Sequence, residues 1–244
     1  MYYSEHGAGG LSTVILLHGA FFTEAFGRQY PLSDRYHLVV PHIKGFGRAA
    51  AETFTAEEAT AELKELAAGS GGPVYLIGFS LGAQLGFKLL AEAPSLFRKA
   101  ILVSPWLLHK DDLPAAVLQE NLKLLHQLQN PVSGRLIALA NGLPKAARKE
   151  FAESMRLVSE TTVRNCVDNG ISIESEPGFA ACPVPVLALA GEKEPAEIQA
   201  SVLKMAELNE NCRCEIWEKA GHNIPPLFPR RFNERVRAFF GAED

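Results

Sequence analysis

No apolar run in this chain of 244 residues approaches the ~18 residues that a membrane-spanning helix needs. Neither charge dominates: 24 basic against 28 acidic residues leave −4, which argues against nucleic acid or an anionic membrane as a partner. No basic residue precedes Arg28, so the charged start of a secretory signal is missing and a cytoplasmic location is expected. Cysteine is scarce. Cys166, Cys182, Cys212 and Cys214 show no zinc-ligand spacing, and a chain this long needs no disulfide staples, so buried or idle thiols are expected. Internal repeats, low-complexity tracts and long linkers are missing too. The glycine-rich turn at residues 69–73 lacks the Lys-Ser/Thr pair of a phosphate loop and reads as a helix stop. Nothing has the pattern of a metal cage or dinucleotide site, so neither a metal nor a cofactor is expected.

What is there is a large stock of apolar side chains, 47% of the residues with 14 Phe, enough for a sizeable packed core. Apolar runs at residues 13–17, 36–40, 74–77, 100–103 and 184–190, with a weaker one at 212–217, suit strands of a parallel sheet covered on both faces. Helical patterns lie between them. Residues 55–68 open on Thr55 with Glu57 and Glu58 in the first turn. Residues 81–92 carry Leu85, Leu89 and Leu90 and end before Pro94, and residues 223–240 supply a last helix. The alternation predicts an α/β fold with a mostly parallel, doubly wound sheet. It breaks between Trp106 and Ala181, where Leu118, Leu122, Leu125 and Leu128 keep helical spacing up to a stop at Asn130–Pro131. Further helical segments are expected around residues 145–158 and 160–167. This predicts a core of residues 1–105 and 182–244, with residues 106–181 as a helical cap inserted after the fourth clear strand.

The stretch Gly78-Phe79-Ser80-Leu81-Gly82 carries the chemistry. A Gly-x-Ser-x-Gly string is weak alone. Here an apolar strand runs into it and an amphipathic helix runs out, the setting of a nucleophile elbow. A strained turn would lift the Ser80 hydroxyl clear of the backbone, and Gly78 and Gly82 would let helix and strand cross closely. Such a serine needs a base. Of seven histidines, His222 in Ala220-Gly221-His222-Asn223 follows the last strand and lies C-terminal to the serine. His6, His37, His109 and His126 lack that placement.

These motifs, in this order, resemble the α/β-hydrolase family in its capped, esterase-like branch. The resemblance covers nearly the whole chain. Leu16-Leu17-His18-Gly19-Ala20 looks like the family's oxyanion loop, Ser80 matches its nucleophile, Gly191-Glu192-Lys193-Glu194-Pro195 its acid loop, and Gly221-His222 its base loop. By resemblance, the oxyanion hole uses the backbone N–H of Leu81 and of Ala20 or Phe21, and His18 braces its loop. The chain departs from the pattern in three places. Glu194 stands where Asp is usual, which leaves Glu192, Asp111 and Asp112 as other places for the acid. His42-Ile43-Lys44-Gly45 replaces Asp-x-Arg-Gly, and the N-terminal hairpin is reduced to a short strand around Tyr2–Ser4.

The resemblance implies a serine hydrolase acting on a small-molecule carboxylic ester or thioester with a small to medium apolar acyl group, as a monomer or homodimer. Phe21, Phe22 and Phe79 are candidates for its acyl pocket. A serine nucleophile argues against the related dehalogenases and epoxide hydrolases, which place Asp there. Two other readings stay open: a C–C bond hydrolase or lyase, with Arg135, Arg148, Arg156 or Arg164 holding an acidic substrate, and a low-turnover ligand receptor.

Overall fold

The computed structural model describes residues 1–108, 113–143 and 145–241. Among them, seven strands form one sheet: β1 (Tyr2–His6), β2 (Thr13–Leu17), β3 (His37–His42), β4 (Val74–Phe79), β5 (Phe97–Val103), β6 (Val186–Gly191) and β7 (Cys212–Trp217). Their spatial order is β1-β3-β2-β4-β5-β6-β7. Only β1 runs antiparallel, pairing Tyr2 with His42 through His6 with Leu38. Every residue of β4 and β6 is buried, as the continuous apolar runs require.

Helices α1 (Ala56–Ala68) and α2 (Leu81–Glu92) flank β4 in sequence. Thr55 caps α1 by accepting the Glu58 N–H, which is what its leading Thr predicted. Between β5 and β6 come α3 (Leu113–Gln129), α4 (Pro131–Ala140), α5 (Arg148–Met155) and α6 (Glu160–Val167). The core closes with α7 (Ala196–Leu208), a single turn α8 (Ile224–Leu227) and α9 (Pro229–Gly241). Successive side chains of β4 face opposite ways. Tyr75 stacks on Phe240 of α9 at 4.4 Å, whereas Leu76 lies against Gly86 of α2. The sheet is thus covered on both faces.

Several boundaries differ from the sequence expectation. Helix α3 ends at Gln129, as the Asn130–Pro131 pair predicted, but a second helix follows at once. The Asn130 side chain accepts the N–H groups of Val132 and Ser133, and Pro131 occupies a first-turn position where no N–H is needed, so a new helix begins there. Residues 223–240 form two helices rather than one, because Phe228 leaves helical geometry and Pro229 starts α9. Helix α7 was not anticipated, although Ile198, Val202 and Met205 keep a helical spacing. The helical segment follows β5, the fourth of the apolar strands, since β1 is a half-exposed edge strand.

β2 lies between β3 and β4, so the chain leaves it toward opposite halves of the sheet. Crevices for ligands form at the carboxyl ends of strands at such a switch point. The loop after β2 and the turn after β4 meet there.

Close crossing of α2 over the sheet needs two glycines. A Cβ on Gly82 would collide with the Leu17 carbonyl, and one on Gly78 with the Gly82 carbonyl, both rigid backbone atoms. Gly82→Ala is expected to lower stability in urea denaturation by about 2–4 kcal/mol, whereas Gly72→Ala, with nothing near its added methyl, changes it by less than about 0.5 kcal/mol. Equal effects would contradict this packing.

Candidate active site

Ser80 sits between β4 and α2 with φ 53° and ψ −116°, a conformation that a side chain rarely adopts. Three backbone bonds hold it: its N–H donates to the Val103 carbonyl at 2.9 Å, and its own carbonyl accepts from Ala83 at 2.8 Å and Gln84 at 3.0 Å. The strain is therefore fixed by the neighbouring strand and by the first turn of α2.

The Ser80 Oγ lies 3.0 Å from His222 Nε2, and His222 Nδ1 lies 2.6 Å from Glu194 Oε1. Glu194 is buried, and its other oxygen accepts from the Gly191 N–H at 2.6 Å and from Ser104 Oγ at 2.8 Å. Three donors on two oxygens compensate the desolvation of that carboxylate. A carboxylate can only accept, so His222 Nδ1 carries the proton and Nε2 is left to accept from the serine hydroxyl. Ser104 completes this arrangement, and no sequence signal pointed to it. It follows β5 with φ 55°, and only the pairing of β5 with β6 brings it to the acid loop.

Glu192 does a different job. Its carboxylate accepts the Lys219 N–H at 2.7 Å, while the Glu192 and Lys193 N–H groups donate to Trp217 and Ala220. These bonds stitch the acid loop to the base loop and leave Glu192 away from the imidazole. Asp111, Asp112 and His109 lie outside the described residues. His37 and His126 meet Glu5 and Glu160 instead, and His6 stacks on Tyr30.

Ser80 and His222 open into a cavity of about 470 Å³. Ala20, Phe21 and Leu81, the expected oxyanion-loop residues, also line it. Leu81 is the first residue of α2, so its N–H has no carbonyl of its own helix to bond. Phe21 has φ 69°, and the Phe22 N–H donates to the Ala20 carbonyl at 2.9 Å, which curls this loop tightly. The rest of the wall is largely apolar: Phe46, Trp106, Val163, Val167 and Ile198. Sequence reasoning missed these because they converge from separate loops and helices.

Two of the three phenylalanines expected in the pocket are elsewhere. Phe22 stacks on Phe151 of α5 at 5.3 Å and ties the loop to the helical segment. Phe79, on β4, packs beside the His222 ring at 5.1 Å but is not part of the cavity wall. Cys166 is in the wall, yet burial pushes its thiol well above the ordinary range and keeps it protonated. Among the described residues, no group of three or more His, Cys, Asp or Glu side chains could hold a metal ion, and no helix is long and apolar enough to cross a membrane.

The sequence model of the alpha/beta hydrolase family matches residues 14–235. The chain belongs to this family. Solved structures of α/β-hydrolase shape agree in fold. A hydrolase from Pseudomonas aeruginosa is 19% identical, with a TM-score of 0.77 over 98% of this chain and 94% of its own. A thermophilic esterase from Thermogutta terrifontis is 18% identical, with a TM-score of 0.73 over 98% and 92%. MenH from S. aureus is 17% identical, with a TM-score of 0.72 over 98% and 97%. At such identities the likeness is one of fold.

In this α/β hydrolase, His18 is fully buried beneath the loop after β2. Its Nε2 accepts the Ile43 N–H at 3.1 Å and its Nδ1 donates to the Gly19 carbonyl at 2.8 Å, so the neutral ring braces two loops. Burial pulls its pKa down from 6.5 to about 3. The unfolded chain therefore binds one more proton than the native one between these values. The stability that His18 contributes is complete above pH 6.5 and lost as pH falls toward about 3. The slope is about 1.4 kcal/mol per pH unit. His18→Gln, whose carbonyl can still accept from Ile43, is expected to lose about 2 kcal/mol less than the native chain when urea stability is compared at pH 6.5 and 5. Equal losses would contradict the neutral buried ring.

Proposed function

We propose that the protein is a serine hydrolase that cleaves a small-molecule carboxylic ester or thioester with a small to medium apolar acyl group. The observation that carries this reading is the unbroken relay Ser80–His222–Glu194 opening into an apolar cavity. His222 Nε2 takes the hydroxyl proton as Ser80 Oγ attacks the carbonyl carbon. Glu194 keeps the proton on Nδ1 and stabilises the imidazolium that forms. The oxyanion faces the N–H of Leu81 and that of Ala20, with Phe21 as the adjacent donor, where each fixed donor contributes ~3 kcal/mol. His222 then protonates the leaving alcohol or thiol. Water activated by the same ring releases the acid and restores Ser80.

The segment of residues 106–181 serves as the lid. Its Trp106 and its helices α3 and α6 supply much of the cavity wall, so it sets the length of acyl chain accepted. The volume falls within the ~300–1,000 Å³ usual for small-molecule sites. A C–C hydrolase or lyase would need a cation for its acidic substrate. Arg135 and Arg156 are exposed, Arg148 donates to the Leu143 carbonyl, and Arg164 lies 3.6 Å from Glu160; none lines the cavity. That favours esters.

Turnover of p-nitrophenyl esters of increasing acyl length tests the reading. The native chain is expected to favour the shorter esters. Ser80→Ala should lower kcat by ~10⁴-fold or more and Glu194→Gln by ~10³-fold or more, with KM little changed. A Ser80→Ala variant as active as the native chain would overturn the assignment.

A further inference from the structure

A short chain of side-chain amides ties two walls of the cavity together. Gln84 lies one turn beyond Ser80 on α2 and is buried. Its Nε2 donates to the Trp106 carbonyl at 2.7 Å, and its Oε1 accepts from Asn169 Nδ2 at 3.2 Å. Asn169 Nδ2 also donates to the Cys166 carbonyl at 2.8 Å, and Asn169 Oδ1 accepts the Ile171 N–H at 2.8 Å. A carbonyl can only accept and a backbone N–H can only donate, so Trp106 and Ile171 fix which way each amide points. Gln84, Trp106 and Cys166 line the cavity.

Trp106 opens the segment of residues 106–181, and Cys166 lies on α6 toward its other end, beside the wall residues Val163 and Val167. The amide chain therefore joins the start of the segment to α6 by way of the helix that follows the nucleophile. Gln84 is itself anchored to that turn, since its N–H donates to the Ser80 carbonyl at 3.0 Å. Other contacts also tie the segment to the core: Phe22 stacks on Phe151, and Asn223 Nδ2 donates to Asn141 Oδ1. None of those four residues lines the cavity. Gln84 combines a place in the wall with a hold on both of its sides.

We propose that Gln84 is a positioning residue that sets substrate specificity: by clamping Trp106 and, through Asn169, α6 to the nucleophile helix, it fixes the width of the cavity and so the acyl length accepted. This rests on the hydrolase reading of the site. An apolar pocket discriminates between acyl chains by fit, so walls released from each other lose their preference for the shorter one. A Gln84 that served stability alone would leave that preference where it was.

The test compares kcat/KM for p-nitrophenyl octanoate with that for the butyrate. Gln84→Leu is expected to raise the octanoate-to-butyrate ratio about fivefold or more, mainly through KM. Asn169→Ala should shift it the same way, and the double variant no further than the larger single shift, because both bonds belong to one chain. Asn141→Ala, which cuts a tie outside the wall, should leave the ratio unchanged. Thermal melting checks that each variant folds, and Asn169→Ala carries the test if Gln84→Leu does not. A second readout needs no turnover. Trp217, the other tryptophan, is 1% exposed, so acrylamide quenching of fluorescence follows Trp106. Quenching should increase about twofold in Gln84→Leu and Asn169→Ala and not in Asn141→Ala. Loss of all ester turnover in the native chain would remove the hydrolase reading and with it the specificity role, while quenching would still report the clamp. An unchanged ratio in a folded Gln84→Leu, additive shifts, an equal shift in Asn141→Ala, or unchanged quenching would each overturn the proposal.

Discussion

The turn at Ser80 holds a positive φ because the strand and the helix around it leave no room for anything else. The Val103 carbonyl accepts the Ser80 N–H, the N–H groups of Ala83 and Gln84 donate to the Ser80 carbonyl, and Gly78 and Gly82 let α2 cross hard against β4 and the end of β2. The parallel order β2-β4-β5-β6 then sets the distances between everything else, since each site loop leaves the carboxyl end of one of these strands or of β7.

A second constraint is the burial of Glu194. A carboxylate withdrawn from water demands partners, and the fold supplies Gly191, Ser104 and His222. Those bonds fix which oxygen faces the imidazole and which nitrogen of the ring carries the proton. Glu192, two residues earlier, anchors the base loop through Lys219 instead. Neighbouring glutamates on one loop therefore separate into one hydrogen-bonded to His222 and one that braces the loop carrying it.

How much was legible follows from range. The buried strands announced themselves as apolar runs, and the bounds of α2 were readable to the residue, because Leu85, Leu89, Leu90 and the terminating Pro94 are local signals. Ser80 and His222 could be singled out because each sits in a short motif beside a recognisable strand, and the structure brings the two side chains within 3.0 Å. Ser104, Trp106 and Phe46 were not, since nothing within a few residues of them marks a site and only strand order and loop packing bring them there. Phe22 and Phe79 misled for the same reason: an aromatic residue near a strand end packs toward whatever neighbour the tertiary fold supplies, here Phe151 and His222. Asn130–Pro131 marked the end of α3 but not the start of α4, because the same pair that ends one helix is well suited to begin another.

The central claim is that Ser80 Oγ is a nucleophile made so by His222. The most direct measurement is the intact mass of the protein after treatment with diethyl p-nitrophenyl phosphate, with peptide mapping of the adduct. The account predicts one diethylphosphoryl group on Ser80, one equivalent of p-nitrophenolate released, and no adduct in His222→Ala. An adduct on another residue, or labelling of Ser80 that survives the loss of His222, would contradict it.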